Sequence, residues 1–414
     1  MKIFITLCLL ATALSLENSL RGVLRSPGQT LKLYGDFKAK EHLMFGGSED
    51  RLRFVLFRNN AEFVAQANED ADSEAVFGLN FLSALTEDEK KQYLGLNVTG
   101  HSPNSLSVSS SDDLDVADTQ LWTADGSVTS VKNQGSCGSC WTFGAVGGLE
   151  TRYKNIAGKL RNFAEQEYLD CVYEGKRNGC NGGWPDDCYT YSQKQGGRLA
   201  STADYKYAQK DGKCLGKNKA DAMIAAKITG SVSVGRSEAA NIAALASGSL
   251  SVAFEVTNYF QQYRSGIIKD KTCTGRPNHA VTAVGYTPQF VLVKNSWGTA
   301  WGESGFVKFA RNHGNCDLFN YSSYPKLTAT KVDDDKASDE ATDYKPNGDD
   351  DVDPKPTSAP ACKDKKKRCG TTKCHRAAYA AKCQKTCGKC DSEDKCPSGT
   401  MRCDDGVCRH EHMC

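Results

Sequence analysis

The stretch QGSCGSCW, residues 134–141, places two cysteines three positions apart in front of a tryptophan. This spacing is compatible with a zinc half-site, a thioredoxin-like redox pair, or one reactive thiol next to a cysteine that belongs to a disulfide. Spacing alone does not decide between these interpretations. The rest of the chain is needed, and we work outward from Cys137 and Cys140.

The N-terminus favours an oxidising compartment. Residues 1–15, MKIFITLCLLATALS, combine Lys2, an apolar run and a small residue at Ser15, which is the pattern of a signal peptide. The apolar run is too short to cross a bilayer core of roughly 30 Å, so we expect no membrane span. In the secretory pathway most of the 19 cysteines should form disulfides. This disfavours a zinc site, and we expect neither metal nor cofactor.

Composition divides the 414 residues into further parts. Residues 16–115 lack cysteine, and residues 116–326 have a glycine-rich helical start followed by β-like runs such as LSVAFEV, AVTAVGY and FVLVKNSWG. Residues 327–361 are rich in Asp, Ser, Thr and Pro, which is typical of a disordered linker. Residues 362–414 carry ten cysteines and too little apolar sequence to fold without disulfides. The net charge of +2 combines an acidic linker with a basic segment and identifies no partner.

A helical pattern occupies residues 49–68, EDRLRFVLFRNNAEFVAQAN. Six residues recur at steps of three or four and therefore form one stripe on a helix: Glu49, Arg53, Phe57, Asn60, Val64 and Asn68. Glu49 and Arg53 have the separation of a helical ion pair. Taken alone, the pattern requires no more than an ordinary amphipathic helix.

A cysteine nucleophile needs a base and a positive potential around its sulfur. A helix beginning at Cys140 would supply the potential, because the backbone N–H groups of its first turn point at the sulfur. Phe143, Val146 and Leu149 recur at intervals of three and suit a buried face. The same helix contains Gly144, Gly147 and Gly148, each costing up to about 1 kcal/mol relative to alanine, so we expect compensation by close packing.

His279 is the candidate base, because it enters the apolar run of PNHAVTAVGY. Asn295, in VKNSWGTAWG, is the candidate that orients the imidazole, and Trp297 would shield their hydrogen bond from water. Each residue taken singly has an ordinary structural explanation. The combination favours catalysis.

Four segments in this order, QGSCGSCW, GCNGGWP, NHAV and KNSWGTAWG, resemble the papain and cathepsin L-like cysteine proteases. His279 and Asn295 follow Cys140 by 139 and 155 residues, close to the spacing of that family. The resemblance implies an α+β papain-like fold over residues 116–326, with a helical left lobe and a β-barrel-like right lobe. It also implies peptide-bond hydrolysis through a thioester.

The resemblance assigns roles to the catalytic residues. Cys140 corresponds to the nucleophile, His279 to the acid and base, and Asn295 to the residue that orients His279. Gln134 corresponds to a side-chain donor of the oxyanion hole, beside the backbone N–H of Cys140. The implied resting state is a thiolate–imidazolium pair.

The other cysteines of this region also receive roles from the resemblance. It pairs Cys137 with Cys180, Cys171 with Cys214, and Cys273 with Cys316. Cys188 is left over, and we expect it to be a buried free thiol.

For substrate binding, the resemblance implies backbone contacts from Gly182 and Gly183, and further contacts from Gly138 and Trp297. The pocket for the second residue before the cut, the S2 pocket, would be lined by Trp184, Pro185, Ala253, Ala280 and Tyr321. We expect it to favour apolar or aromatic side chains, with Tyr321 shortening it. No insertion resembles the occluding loop of dipeptidase members, so we predict an endopeptidase.

Residues 16–115 resemble an inhibitory propeptide, with the stripe from Glu49 to Asn68 in place of the ERFNIN motif and Val64 at its Ile position. The second propeptide motif resembles GLNFLSALT, residues 78–86, but Ala84 stands where an aspartate is usual. Acid-driven self-activation is therefore less expected here. We predict a zymogen whose mature chain begins between residues 112 and 118. Asn97 and Asn320 lie in glycosylation sequons.

Residues 362–390 resemble a ShKT domain, which implies the pairs Cys362–Cys390, Cys369–Cys383 and Cys374–Cys387. Residues 391–414 form a short cysteine-rich tail with two more disulfides. Ala378 precedes Tyr379 where channel-blocking members carry a lysine, which disfavours a toxin role. The basic character of 362–390 could engage acidic surfaces, sulfated glycans or the acidic linker.

The leading hypothesis is a monomeric cysteine endopeptidase, secreted or lysosomal or vacuolar, made as a zymogen and acting on protein or peptide substrates. Its partners would include its own propeptide but no nucleic acid. The alternative is a secreted binding or toxin-like protein whose ShKT-like tail is the active part. The presence of all four residues Gln134, Cys140, His279 and Asn295 favours the enzyme.

Overall fold

The computed structural model describes residues 20–70, 73–96, 106–108, 116–174, 179–270, 272–273, 275–312, 316, 318–330, 401–402 and 408–409. The chain divides into two compact units, residues 1–344 and 345–414. The first contains the N-terminal segment, residues 20–96, and the two lobes. In the second, strands β11 (Met401–Arg402) and β12 (Cys408–Arg409) pair antiparallel.

Three helices begin the N-terminal segment: α1 (Leu20–Arg25), α2 (Pro27–Lys40) and α3 (Gly47–Ala67). Strand β1 (Glu74–Phe77), a 3-10 helix (Phe81–Ala84) and helix α4 (Glu87–Lys91) follow. Helix α3 confirms the predicted stripe, because Arg53, Phe57, Asn60 and Val64 are buried along one side. Tyr34 and Phe37 of α2 pack on Phe57, and Ala84 belongs to the same cluster.

The left lobe is helical, as predicted. It contains α5 (Cys140–Ala157), α6 (Glu165–Cys171), α7 (Pro185–Lys194) and 3-10 turns at Gly179–Asn181 and Gly216–Asn218. Trp141, Val146, Leu149, Tyr153, Phe163 and Tyr189 belong to its core.

The glycines of α5 permit close contacts with its neighbours. A Cβ on Gly147 would lie 2.1 Å from Thr282 Oγ1, and one on Gly148 would lie 2.6 Å from the Tyr189 hydroxyl. The expected close packing is therefore present, and it offsets the low helix propensity of glycine.

The right lobe is built on a ten-stranded sheet. Its strands are β2 (Leu106–Val108), β3 (Gln120–Leu121), β4 (Ala226–Val234), β5 (Leu250–Phe254), β6 (Tyr263–Ile268), β7 (His279–Tyr286), β8 (Phe290–Lys294), β9 (Phe306–Ala310), β10 (Tyr321–Ala329) and β1. The strand order is β1-β6-β9-β8-β7-β5-β10-β4-β2, with β3 paired to β7. Along the chain, helix α8 (Glu238–Leu245) lies between β4 and β5, and helix α9 (Asn258–Gln261) lies between β5 and β6. The three predicted β-like runs form β5, β7 and β8.

The predicted start of the linker falls inside strand β10. Strand β10 continues to Ala329, which pairs with Ala226, and Thr330 N–H donates to Ala225 O. The predicted linker start at residue 327 is therefore too early, because cross-strand pairing holds four more residues. The rest of the linker and the predicted ShKT-like domain at 362–390 lie outside the described residues. In the part of the chain that is described, no helix has the length and apolarity needed to cross a membrane.

Three disulfides link described residues: Cys137–Cys180 and Cys171–Cys214 in the left lobe, and Cys273–Cys316 in the right lobe. These are the pairs that the resemblance implied for this region. Cys140 and Cys188 are free and buried. Cys137 therefore belongs to a disulfide, and Cys140 is the free thiol of the opening motif.

Candidate active site

Cys140 is the first residue of α5 and is fully buried. Its Sγ accepts hydrogen bonds from the backbone N–H groups of Gly95, at 3.1 Å, and Ala280, at 3.4 Å. Ala280 is the second residue of β7. The thiol therefore lies where the left-lobe helix meets a right-lobe strand, and N–H dipoles point at its sulfur.

His279 opens β7 next to the residue that contacts this sulfur. Its Nε2 lies 2.8 Å from Asn295 Oδ1, and the Trp297 ring lies 5.0 Å from the imidazole, centroid to centroid. Nδ1 is buried and has no hydrogen-bond partner among the described residues. Since Asn295 occupies one ring nitrogen, the other is available to exchange a proton with a group in the cleft.

The side-chain amide of Gln134 is held on both sides. Its Oε1 accepts a hydrogen bond from Ser296 Oγ at 2.6 Å, and its Nε2 donates to Cys137 O at 3.0 Å. Nε2 also donates to Tyr93 O at 3.1 Å, and Trp297 Nε1 donates to the same carbonyl at 3.3 Å. A carbonyl oxygen from the N-terminal segment is therefore bound where an oxyanion donor is expected.

Residues 93–96 of the N-terminal segment lie across the cleft. Gly183 N–H donates to Gly95 O at 3.0 Å, and Leu96 N–H donates to Asn278 O at 3.2 Å. A Cβ on Gly95 would lie 1.8 Å from Gly138 O. The segment thus fills the cleft and presents the Gly95 N–H group to Cys140 Sγ.

Burial below this segment disfavours the charged forms of both Cys140 and His279. It raises the pKa of the Cys140 thiol to about 12, although the N–H groups of Ala280 and Gly95 act in the opposite direction. Burial also lowers the pKa of His279 to about 4. At neutral pH the covered site therefore holds a thiol and a neutral imidazole. The thiolate–imidazolium pair inferred from the sequence stays a prediction for the enzyme without this segment.

The residues predicted to form the S2 pocket come together at the start of α7 and the ends of β5, β7 and β10. The Trp184 and Tyr321 rings pack at 5.5 Å between centroids, and Ala253 lies opposite both Tyr321 and Ala280 in register. Pro185 is the first residue of α7. Ala253, Ala280 and Tyr321 thus lie on three adjacent strands, and the Trp184 ring packs on Tyr321. The sequon residue Asn320 immediately precedes Tyr321 and is half-buried, whereas Asn97 lies outside the described residues.

A buried ionic cluster lies behind the catalytic residues. Lys132 Nζ contacts Glu150 Oε1 at 2.9 Å and Glu165 Oε1 at 2.6 Å, and Lys294 Nζ donates to Thr129 Oγ1 at 2.8 Å. Burial lowers the pKa of Lys294 to about 8 and raises the pKa of Glu165. The cluster joins α5 and α6 to β8. The sequence analysis did not predict this ionic cluster. The one indication of it in the sequence was Lys294, which ends the apolar run of β8.

Sequence reasoning also missed the hydroxyl groups that surround the oxyanion donor. Ser296 Oγ contacts Gln134, and the Tyr207 hydroxyl lies 2.6 Å from Ser139 Oγ and donates to Gln134 O at 2.8 Å. Ser296 is part of the KNSWG motif, but the spacing of the motif does not indicate that its hydroxyl contacts Gln134.

These features define a class of protein. A free thiol at a helix N-terminus, an imidazole bound to an amide oxygen, and an amide donor facing the cleft between two lobes are the elements of a thiol protease.

Comparison with known proteins identifies the family. The model of the papain family cysteine protease matches residues 116–326. Papain of Carica papaya is 34% identical over 313 residues, covering 73% of this chain and 88% of papain. Cathepsin S of Mus musculus is 33% identical over 292 residues, covering 68% and 85%. The chain belongs to the papain family of cysteine proteases.

Solved structures of proforms match the same region together with the N-terminal segment. The digestive procathepsin L2 of the Tenebrio molitor larval midgut has a TM-score of 0.65 and 31% identity, covering 72% of this chain and 99% of that one. The proform of the ragweed pollen allergen Amb a 11 has a TM-score of 0.65 and 30% identity, covering 73% and 94%. The N-terminal segment is therefore called the propeptide below.

Proposed function

We propose that the mature protein is an endopeptidase that cleaves peptide bonds through Cys140, with residues 16–115 removed as the inhibitory propeptide. The observation that carries this proposal is the Tyr93 carbonyl bound by Gln134 Nε2 beside Cys140. It supports an oxyanion site within the same cleft as the thiol, the imidazole and the orienting amide.

The reaction proceeds in two halves. The Cys140 thiolate attacks the substrate carbonyl carbon, and the oxygen becomes an oxyanion that accepts hydrogen bonds from Gln134 Nε2 and the Cys140 N–H. The His279 imidazolium gives its proton to the leaving nitrogen as the C–N bond breaks, which leaves a thioester. His279 then takes a proton from water, the hydroxide adds to the thioester carbon, and the C–S bond breaks to release the acid. Asn295 holds the imidazole throughout.

The test uses the full chain after the propeptide has been removed by a serine protease that is then inhibited. Cys140→Ser should abolish cleavage of a peptide library, and Cys188→Ser, at the other free buried thiol, should leave cleavage in place. Internal cleavage of library peptides would support an endopeptidase. Equal activity of the wild type and the Cys140 variant would refute the proposal.

For specificity, we propose that the S2 pocket favours apolar or aromatic side chains of limited length. Ala253 and Ala280 supply small walls, and the packed rings of Trp184 and Tyr321 close the far end. Leu96 supports an apolar preference because it forms a bridge with Gly183, which immediately precedes Trp184. Tyr321→Ala should raise kcat/KM for long side chains at this position by about tenfold relative to valine. An unchanged preference would contradict this pocket assignment.

For localisation, we propose a secreted or lysosomal and vacuolar enzyme, supported by the signal-peptide pattern of residues 1–15 and by the three disulfides of the peptidase domain. Expression with and without residues 1–15 in a eukaryotic host tests this. The full sequence should enter the secretory pathway, and the shortened one should remain in the cytosol.

A further inference from the structure

We propose that Tyr173 is a positioning residue for peptide binding: its hydroxyl holds the backbone of residues 183–184 where it can pair with the backbone of a substrate. This inference rests on the proteolytic function proposed above. Tyr173 acts through the backbone N–H of Trp184 and not through a contact with the substrate.

Two successive N–H groups of the cleft wall bind different partners. Gly183 N–H donates to Gly95 O of the propeptide at 3.0 Å, and Leu96 forms a parallel bridge with Gly183. The next N–H, that of Trp184, donates to the Tyr173 hydroxyl at 3.2 Å. One N–H therefore binds the occupant of the cleft, and its neighbour is held by a side chain of the left lobe.

The direction of the hydrogen bonds at Tyr173 follows from its single hydroxyl proton. The hydroxyl donates this proton to Asp187 Oδ2, so its oxygen accepts from Trp184 N–H. Burial, together with the hydrogen bond to Asp187, raises the pKa of Tyr173. The hydroxyl therefore keeps its proton under assay conditions and stays a donor to the carboxylate.

This arrangement fixes the start of helix α7 together with the cleft wall. Trp184 is the N-cap of α7, and Asp187 is the third helical residue. In a capping box the side chain at the third position, usually Glu or Gln, bonds directly to the N-cap N–H. Aspartate is one methylene shorter than glutamate, and here the Tyr173 hydroxyl lies between the carboxylate and that N–H.

The Tyr173 ring lies directly against the wall that it supports. It packs on the Trp141 ring at 5.3 Å between centroids, and Trp141 Nε1 donates to Gly179 O at 3.1 Å. A Cβ on Gly183 would lie 2.6 Å from Tyr173 Cε2 and 2.8 Å from Trp141 Cδ2. Because ring packing and not the hydroxyl fills this space, phenylalanine at position 173 keeps the packing and removes only the hydrogen bonds.

The experiment compares Tyr173→Phe with the wild type, in the full chain after propeptide removal, on an N-acylated dipeptide amide. We expect KM to rise about fivefold, as for the loss of one neutral hydrogen bond. We expect kcat to stay nearly constant, because the backbone pairing is present in both the bound substrate and the transition state. Tyr191→Phe is the matched control: it removes a hydroxyl of α7 that donates to Glu167 Oε1 at 3.3 Å, and should leave KM unchanged.

Two further measurements separate positioning from a general structural role. Iodoacetamide has no peptide backbone to pair with Gly183, so Tyr173→Phe should leave the rate and pH profile of Cys140 alkylation unchanged. Asp187→Asn keeps an oxygen that accepts from the Tyr173 hydroxyl and should keep the wild-type KM. Asp187→Ala should raise KM, and its effect should be less than additive with that of Tyr173→Phe.

Each outcome points to one conclusion. An active wild type whose Tyr173→Phe variant keeps its KM would overturn this proposal alone. An equal change in Tyr191→Phe, or a parallel loss of alkylation rate, would also overturn it, because either shows a general structural effect. A wild type without cleavage that depends on Cys140 would overturn the proposed function, and this inference with it.

Discussion

Gly95 lies over the nucleophile at a point where the propeptide has no room for a side chain. Its N–H donates to Cys140 Sγ, and a Cβ would lie 1.8 Å from the Gly138 carbonyl oxygen, which is backbone and cannot move aside as a flexible side chain could. Gly95→Ala should therefore lift residues 93–96 out of the cleft. We expect the uncut zymogen to gain at least tenfold in cleavage of a small peptide substrate. Gly35→Ala is the control, because nothing lies within 4 Å of its Cβ position; equal gains in both variants would contradict the steric argument.

The reactivity of the Cys140 thiol should depend directly on whether the propeptide covers it. Because burial raises the pKa of the Cys140 thiol to about 12, very little of the thiol is ionised at pH 7 in the zymogen. Because thiolate is the reactive form, iodoacetamide should modify Cys140 at least a hundredfold more slowly before propeptide removal than after it, as measured by mass spectrometry. Cys188 remains buried in both states and should stay unmodified. Similar rates before and after removal would contradict the effect of burial.

The residues that the structure brings together at the candidate site could be named from the sequence because short motifs carry them. Cys140, His279, Asn295 and Gln134 stand in segments whose order and spacing resemble those of one family. The hydrogen bond between Ser296 and Gln134 joins residues 162 positions apart, and no local pattern encodes such a contact. The buried ionic cluster could not be predicted for the same reason, because its members are far apart in the sequence. They come from the segment before α5, from α5, from α6 and from β8.

At the scale of elements, Arg53 connects helix α3 to the 3-10 helix and to helix α4 of the propeptide through hydrogen bonds. Its guanidinium donates to Glu89, to Glu49 at 3.1 Å and to Ala84 O at 3.1 Å, and its side chain is 9% exposed. Arg53→Ala removes these contacts and leaves the Ala84 carbonyl unpaired. We expect the propeptide to lose about 2–3 kcal/mol of stability, measured as increased susceptibility of the zymogen to limited proteolysis.

The same helix offers a matched control. Arg58 pairs with Glu62 at 2.9 Å, but both side chains are about half exposed. Arg58→Ala should cost less than about 1 kcal/mol, since exposed ion pairs contribute little. Equal effects of the two variants would show that burial and the link to Glu89 are unimportant.

Elements were predictable where local periodicity is strong and less so at their ends. The stripe of α3 and the alternating runs of β5, β7 and β8 each arise from a burial pattern within one segment. The end of β10 was missed because residues 327–330 look like linker in composition, while the pairing of Ala329 with Ala226 comes from a distant strand. Composition describes a segment, but strand pairing depends on its neighbour.

At the scale of the whole molecule, neutral groups join the propeptide to the enzyme. Gln262 Nε2 donates to Asn60 Oδ1 at 3.3 Å and its Oε1 accepts from Ser83 Oγ at 2.9 Å, while Asn80 Nδ2 donates to Gln261 O at 2.7 Å. These groups are buried and do not titrate between pH 4 and 7. In the described part of the chain, the ion pair found across this interface is Glu74 with Lys269, at its edge.

The buried ion pair between Arg53 and Glu89 inside the propeptide also resists mild acid. The hydrogen bond from Arg53 holds the pKa of Glu89 down at about 2. Because this pKa is below its unfolded value, the contribution of Glu89 to stability is present above the unfolded pKa and is lost only as the pH falls towards 2. Ala84, fully buried where related propeptides were expected to carry an aspartate, adds no titrating group. Acidification to pH 4–5 therefore leaves these contacts largely unchanged, whereas protonation of His279, whose pKa burial lowers to about 4 in the covered site, favours the uncovered state.

Release of the propeptide should accordingly depend on cleavage more than on pH. We expect the purified zymogen to remain uncut and inactive for hours at both pH 4.5 and pH 7, and to become active when a second protease cuts the propeptide. The measurement is peptidase activity with time, together with the mass of the chain. A Cys140→Ser zymogen separates the two steps, because it reports cleavage by the added protease without self-processing. Rapid activation of the wild type at pH 4.5 alone would contradict the argument, because it would mean that protonation of His279 outweighs the neutral interface and the Arg53–Glu89 pair.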